Sequence, residues 1–112
     1  MVETSKRMRQ MLRAQAGNAW EAETKAALQP LADKFDQWKQ GALSSADLHD
    51  AIHEYHDGVG REIWKRFATN RPEMPIAHAL ATGLLPKESV PAEVREHLES
   101  LVDFLHKQMQ DE

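Results

Sequence analysis

Apolar residues recur every three or four positions along almost the whole chain, and nowhere do β-branched and aromatic residues alternate with period two. Side chains three and four residues apart share one face of an α-helix, whereas strict alternation is typical of a half-buried strand. The pattern therefore predicts an all-α fold. We expect an elongated bundle of about five helices, in a single helical domain over residues 1–112.

The first predicted helix begins after Thr4 or Ser5, whose hydroxyls can cap it. Its apolar stripe consists of Met8, Met11, Leu12, Ala19, Ala22 and Ala26. Gly17-Asn18 can kink this helix, and Pro30 disfavours the helical conformation of the preceding residue. We therefore expect a boundary or a bend at Pro30.

A second helix is predicted to begin at Pro30 and to end at Gly41, the residue type that most often adopts a left-handed cap. Its apolar positions are Leu31, Phe35 and Trp38. Their spacing places them on one stripe, so the sequence predicts that Trp38 lies inside the protein.

The next helix start is the clearest local signal, because Ser44 can cap it and Asp47, three residues later, resembles the acid of a capping box. From there an apolar stripe runs through Leu48, Ile52, Tyr55, Val59, Ile63 and Phe67. The stripe crosses Gly58 and Gly60 without interruption. The sequence therefore predicts one long central helix near residues 45–68.

The segment "TNRPEMP", residues 69–75, predicts a loop, followed by a short helix that ends at Gly83. The last helix is predicted to begin near Pro91. Its inward positions are Val94, Leu98, Leu101, Val102, Leu105 and Met109.

The formal net charge of −4 is unevenly distributed. Residues 1–13 hold four cations against Glu3, and residues 88–112 hold seven carboxylates against two cations. The first segment predicts a basic N-terminal arm, in which Arg7, Arg9 and Arg13 could bind a phosphate backbone. This makes a nucleic-acid-binding regulator one alternative function.

The chain contains no cysteine, which excludes disulfides, thiolate metal sites and a cysteine nucleophile. A reducing cytoplasm is the compartment that this composition favours. No run of apolar residues is long enough to predict a membrane span or a signal peptide. Neither a Ser-His-Asp order nor a separated pair of carboxylates can be defended from the sequence, so we expect a protein that is not an enzyme.

Histidines are concentrated in "LHDAIHEYHDGVGREIW", residues 48–64. On a helix, His49, His53 and His56 share one row between the apolar stripe and the charged face, with Asp57 nearby. Imidazole and carboxylate groups at such spacings can hold a divalent metal. One straight helix cannot bring all three histidines to a single ion, so a metal site here needs a further element. A metal-binding protein is the second alternative.

Two known motifs are incomplete. His53-Glu54 begins a zinc-protease pattern, but Asp57 stands where its second histidine is required. Residues 36–47 resemble an EF-hand loop in outline, with Gly41 at the sixth position, yet Trp38 and Gln40 occupy positions that need oxygen ligands. Neither resemblance implies a metal site.

The function that these observations favour is protein–protein binding by a small helical interaction or regulatory protein. The surface that we expect to carry it combines the third helix, through Arg61 and Trp64, with the basic arm. A homodimer is also predicted, because the apolar side chains of Met8, Met11 and Leu12 would otherwise lack a cover.

Overall fold

The computed structural model describes residues 5–111, and within that range it contains α-helices and one short 3-10 turn but no strand. The prediction of an all-α fold is confirmed. The elements are α1 (Lys6–Lys39), α2 (Ser45–Asp57), α3 (Val59–Phe67), α4 (Glu73–Ala81), the 3-10 turn Lys87–Ser89 and α5 (Ala92–Gln110).

The chain divides into two compact units. The hairpin unit is Glu23–Ala68, and the terminal unit comprises the chain up to Ala22 together with the chain from Thr69 onward. Helix α1 contributes to both. The single domain expected over residues 1–112 stays a prediction, and the two units are described separately below.

Helix α1 has no boundary at Pro30, where the sequence predicted a boundary or a bend. It also runs through Gly17. A proline removes only one backbone hydrogen bond from a helix, and the helix continues where the residues on both sides are otherwise well bonded. At its start the Ser5 hydroxyl accepts a hydrogen bond from the Met8 amide at 3.0 Å, which confirms Ser5 as a cap; Thr4 lies outside the described residues.

The core of the terminal unit is built mainly by α4 and α5. Its buried apolar residues are Leu12, Ala19, Ile76, Ala77, Ala79, Leu85, Val90, Val94 and Leu98. Arg7 forms an ion pair with Glu93 at 2.7 Å, which ties the start of α1 to α5. Leu12 is buried, and Met8 and Met11 are half-buried. The reason first given for a homodimer, that these three side chains lack a cover, is therefore wrong.

In the hairpin unit, α1 and α2 are joined by a tight connection with well-defined caps. Gly41 has a φ of +81°, and the Ala42 amide donates to the Gln37 carbonyl at 2.8 Å, the long-range bond of a Schellman cap. On the other side the Ser44 hydroxyl accepts from the Asp47 amide at 3.1 Å. Both predicted helix ends are confirmed.

The long helix predicted near residues 45–68 is interrupted at Gly58, which separates α2 from α3. A Cβ atom on Gly58 would lie 2.8 Å from the Glu54 carbonyl oxygen, and one on Gly60 would lie 3.0 Å from the Tyr55 ring. Both glycines are therefore required by close contacts. The prediction of one continuous helix is wrong at Gly58, although the helix does continue through Gly60 inside α3. The stripe explains the interruption, because three successive spacings of four residues advance by about 120° around a straight helix.

Replacing Gly58 with alanine should destabilise the protein by about 1–3 kcal/mol, because the new methyl group overlaps a backbone carbonyl that cannot move without shifting α2. Gly17 offers a matched control, since it lies inside α1 and a Cβ atom there meets nothing within 4 Å. Gly17→Ala should stabilise the protein by about 0.5–1 kcal/mol. Urea unfolding of both variants measures the two changes, and a gain in stability from Gly58→Ala would show that the interruption is not required.

A second stability prediction concerns Thr24, whose buried hydroxyl oxygen has no hydrogen-bond partner among residues 5–111. Thr24→Val removes this unsatisfied group at nearly constant volume and helix propensity, and should raise the free energy of unfolding by about 1 kcal/mol. In the control Thr82→Val, a hydroxyl that donates to the Ala79 carbonyl at 3.3 Å is lost, so no gain is expected. Equal shifts of the two thermal midpoints would contradict this account.

Candidate protein-binding face of the helical hairpin

Several large apolar side chains of the hairpin unit are exposed to solvent. Trp64, which the sequence analysis selected as an interaction residue, has 62% of its surface exposed. The others are Leu28, Phe35, Trp38, Ile52 and Val59. Trp38 was predicted to lie inside but is 40% exposed. It lies at the end of the hairpin, where its indole N–H donates to the Ser45 hydroxyl at 2.9 Å.

The exposure follows from the small number of helices in this unit. Each helix of a pair has one neighbour, so only a narrow strip of its surface can be covered, whereas an apolar stripe spans 100° or more. Leu48 and Ile63 are the buried apolar residues of α2 and α3. Tyr55 and Phe67 are half-buried, whereas Ile52 and Val59 are exposed.

Helical geometry places the exposed residues of α1 on one side of the hairpin. Ala27 and Leu31 are half-buried on the side of α1 that faces α2. At 100° per residue, Leu28 and Phe35 project about 80° and about 60° to one side of that direction. Pro30 projects about 80° to the other side.

The same construction applies to the returning helices. On α2, Leu48 is buried and Ala51 and Tyr55 are half-buried, and Ile52 projects about 65° from the mean direction of these three residues. On α3, Trp64 projects about 100° from the buried Ile63, and both rotations are in the positive sense. Because the two arms of a hairpin run antiparallel, equal rotational senses on the two arms lead to the same face. Leu28, Phe35, Ile52 and Trp64 therefore project from one side of the hairpin, called the outer face below.

The opposite side of the hairpin contains a cleft of about 230 Å³. Its lining residues are Ala27, Pro30, Leu31, Lys34, Ala51, Glu54, Tyr55 and Val59. Pro30, Lys34 and Val59 project in the negative sense from the buried directions of their helices, which agrees with the assignment of the two sides.

An ion pair on the cleft side holds α3 against α1. Arg66 donates to Glu23 at 2.9 Å, and the Glu23 side chain is only 4% exposed while that of Arg66 is 45% exposed. Glu23 was not predicted as a site residue. It lies within about 40° of Ala19 on the apolar stripe of α1, which is an unusual position for a carboxylate. A charged residue on an apolar stripe is the signal that could have revealed it.

The charged side chains around Gly58 are not paired as they would be in a continuous helix. Such a helix would bring Asp57 close to Arg61, four residues later. In the structure Asp57 lies 3.3 Å from the ring nitrogen Nδ1 of His56, and Arg61 belongs to α3, beyond the interruption. Both Arg61 and Trp64 are exposed on α3, so two of the predicted interaction residues share one helix.

The histidine row lies at the edge of the outer face. His49 and His53 are brought together, with ring centroids 4.7 Å apart, whereas His56 is paired with Asp57. All four candidate metal ligands are exposed. Among residues 5–111, no group of three or more His, Asp or Glu side chains is arranged to hold a metal ion. A metal bound by this row would need ligands from elsewhere.

The predicted basic arm is helical from Lys6 onward, and its arginines belong to the terminal unit. Arg7 is neutralised by Glu93, and Arg9 also has an interaction partner. Arg13 is exposed. The part of the arm before Ser5 lies outside the described residues.

Comparison with known proteins finds no match for this chain among family models, curated proteins or solved structures. In the part of the chain that the structure describes, no helix has the length and apolar character needed to cross a membrane.

Arg66→Leu should destabilise the protein by about 1–3 kcal/mol, because it removes a guanidinium donor from the buried carboxylate of Glu23. Arg61→Leu is the matched control: the same substitution on the same helix, at an exposed position, should change stability by no more than about 0.5 kcal/mol. Denaturant unfolding compares them. Equal effects of the two substitutions would mean that the ion pair does not anchor α3.

Proposed function

We propose that this protein acts by protein–protein binding through the outer face of its hairpin unit. The observation that carries the proposal is the exposure of four large apolar side chains, Leu28, Phe35, Ile52 and Trp64, which helical geometry projects from one side of two antiparallel helices. Exposed apolar surface of this kind is typical of sites that bind another protein. Tryptophan and phenylalanine are also well suited to interface positions, because each buries a large area with few rotatable bonds.

The composition of the surrounding surface supports the same proposal. Lys25 and Lys39 border the outer face along α1, and the histidine row borders it along α2. A polar border around an apolar centre is the usual anatomy of a protein interface. The long lysine side chains can also extend the apolar contact with their methylene groups.

The two alternative functions have weaker support. Nucleic-acid binding would use Arg7, Arg9 and Arg13, but Arg7 is engaged by a carboxylate within the terminal unit. Metal binding would use the row formed by His49, His53 and His56, which needs additional ligands. We further propose a binding rather than a catalytic role, and a cytoplasmic site of action that the absence of cysteine favours.

Affinity purification of the full chain from its native cells, after mild cross-linking, tests the proposal when variants are compared quantitatively. Trp64→Ser should reduce recovery of stoichiometric protein partners at least tenfold, because it removes the most exposed side chain of the outer face. Phe104→Ser is the control, since Phe104 is 53% exposed but lies on α5 in the terminal unit. This variant should retain the same partners.

Identical recovery with Trp64→Ser and the wild type would overturn the proposal. Nucleic acid that is recovered with both variants and lost with Arg13→Glu would favour the nucleic-acid alternative. Stoichiometric metal in untagged protein, lost in His53→Ala, would favour the metal alternative.

A further inference from the structure

We infer that the occupant of the outer face is a second copy of this chain, and that the two hairpin units form an antiparallel four-helix bundle. The inference rests on the proposed function, because it uses the same face and names the partner. In the bundle each helix gains the second neighbour that a lone hairpin cannot provide.

The register of the hairpin shows how two copies fit. The hydrogen bond from Trp38 to Ser45 places these residues at the same level. Seven residues farther from the connection, Leu31 on α1 and Ile52 on α2 share another level, since both helices rise 1.5 Å per residue. Leu28 and Phe35 lie about one turn to either side of that level.

At this level, four residues of α1 have the spacing that forms a packing hole, the gap into which a side chain of a facing helix can insert. Positions i, i+3, i+4 and i+7 surround the space into which a side chain of a facing helix inserts. Here these positions are Leu28, Leu31, Ala32 and Phe35. The small, exposed Ala32 leaves room between the larger residues. A two-fold axis along the bundle keeps both copies at the same level, so the partner's Ile52 meets this hole, and the contact repeats by symmetry.

The lysines on α1 favour this arrangement over the alternative two-fold arrangement, in which α1 packs against α1 of the second chain. If α1 packed against its own copy, Lys25 and Lys39 would approach the same lysines of the second chain, which is unfavourable. If α1 packs against α2 of the second chain, the lysines face a helix that holds four carboxylates and neither lysine nor arginine. The pairing of α1 with the second chain's α2 therefore avoids a repulsion between like charges.

The available area also agrees with a dimer. The four residues of the outer face are 39%, 37%, 40% and 62% exposed, in chain order. At ~200 Å² for a large side chain, they leave on the order of 350 Å² of apolar surface in water. A standard interface covers ~800 Å² on each partner, of which somewhat more than half is apolar. Ala32 and the lysine methylenes supply part of the remainder.

Sedimentation equilibrium over a concentration series tests whether the full chain self-associates. The wild type should have the mass of two chains, and Ile52→Glu should weaken the dimer at least tenfold, because a charge enters the packing hole. The control is Val59→Glu, which changes a more exposed aliphatic residue on the cleft side of the hairpin. It should associate like the wild type. Circular dichroism establishes that both variants keep their helix content.

Cross-linking tests the arrangement without a disruptive substitution. Since the sequence has no cysteine, a single introduced cysteine can react with a bismaleimide only across two chains. A mixture of Leu28→Cys and Ile52→Cys proteins should yield mainly the mixed pair, because these positions face each other in the bundle. Predominant cross-linking of Leu28→Cys to itself would overturn the pairing of α1 with the second chain's α2.

A monomeric wild type at every concentration would overturn the inference. In that case, partners that are lost specifically in Trp64→Ser would leave the proposed function standing with a different occupant. A monomer whose protein partners are unaffected by Trp64→Ser would overturn both. A dimer that Val59→Glu disrupts and Ile52→Glu does not would overturn the assignment of the outer face.

Discussion

The interruption at Gly58 is the constraint on which the hairpin unit depends. Along a straight helix, spacings of four residues from Tyr55 to Phe67 carry the apolar stripe about 120° away from its starting direction. Such a helix could not present both ends of the stripe to the same partner. Ending α2 at Asp57 and starting α3 at Val59 allows the second piece to turn its own buried side, marked by Ile63, toward α1.

Once α3 is turned in this way, two side chains acquire opposite roles. Arg66 projects to the cleft side, where it neutralises the buried carboxylate of Glu23. Trp64 projects to the outer face, where nothing in the hairpin unit covers it. The ion pair is costly to break from the Arg66 side, because the Glu23 carboxylate lies in an environment with little water. Glu23 and Arg66 thus keep Trp64 in place without contacting the surface that it forms.

Local sequence signals predicted the helix ends well, since a cap depends on residues that are close in the chain. Gly41 and Ser44 end and begin helices as expected. The helix start predicted at Pro30 and the continuous helix predicted across Gly58 were wrong, because a proline or a glycine in a helical pattern weakens a helix without fixing where it ends. The outer face was found only in part: Trp64 was named, whereas Ile52, Phe35 and Trp38 were assigned to core stripes. Periodicity shows which residues favour burial, but it does not show how many neighbours a helix has in its own chain.

This ambiguity explains why the candidate site looks like a core in the sequence. A packing hole made by Leu28, Leu31, Ala32 and Phe35 has the same spacing whether the inserted side chain comes from the same chain or from another. Only the folded hairpin distinguishes the cases, because α2 occupies the side of α1 near Ala27 and leaves Leu28 and Phe35 in water. The proposed function uses the exposed half of each apolar stripe, and the proposed pairing of helices between two chains follows from the charges that border it.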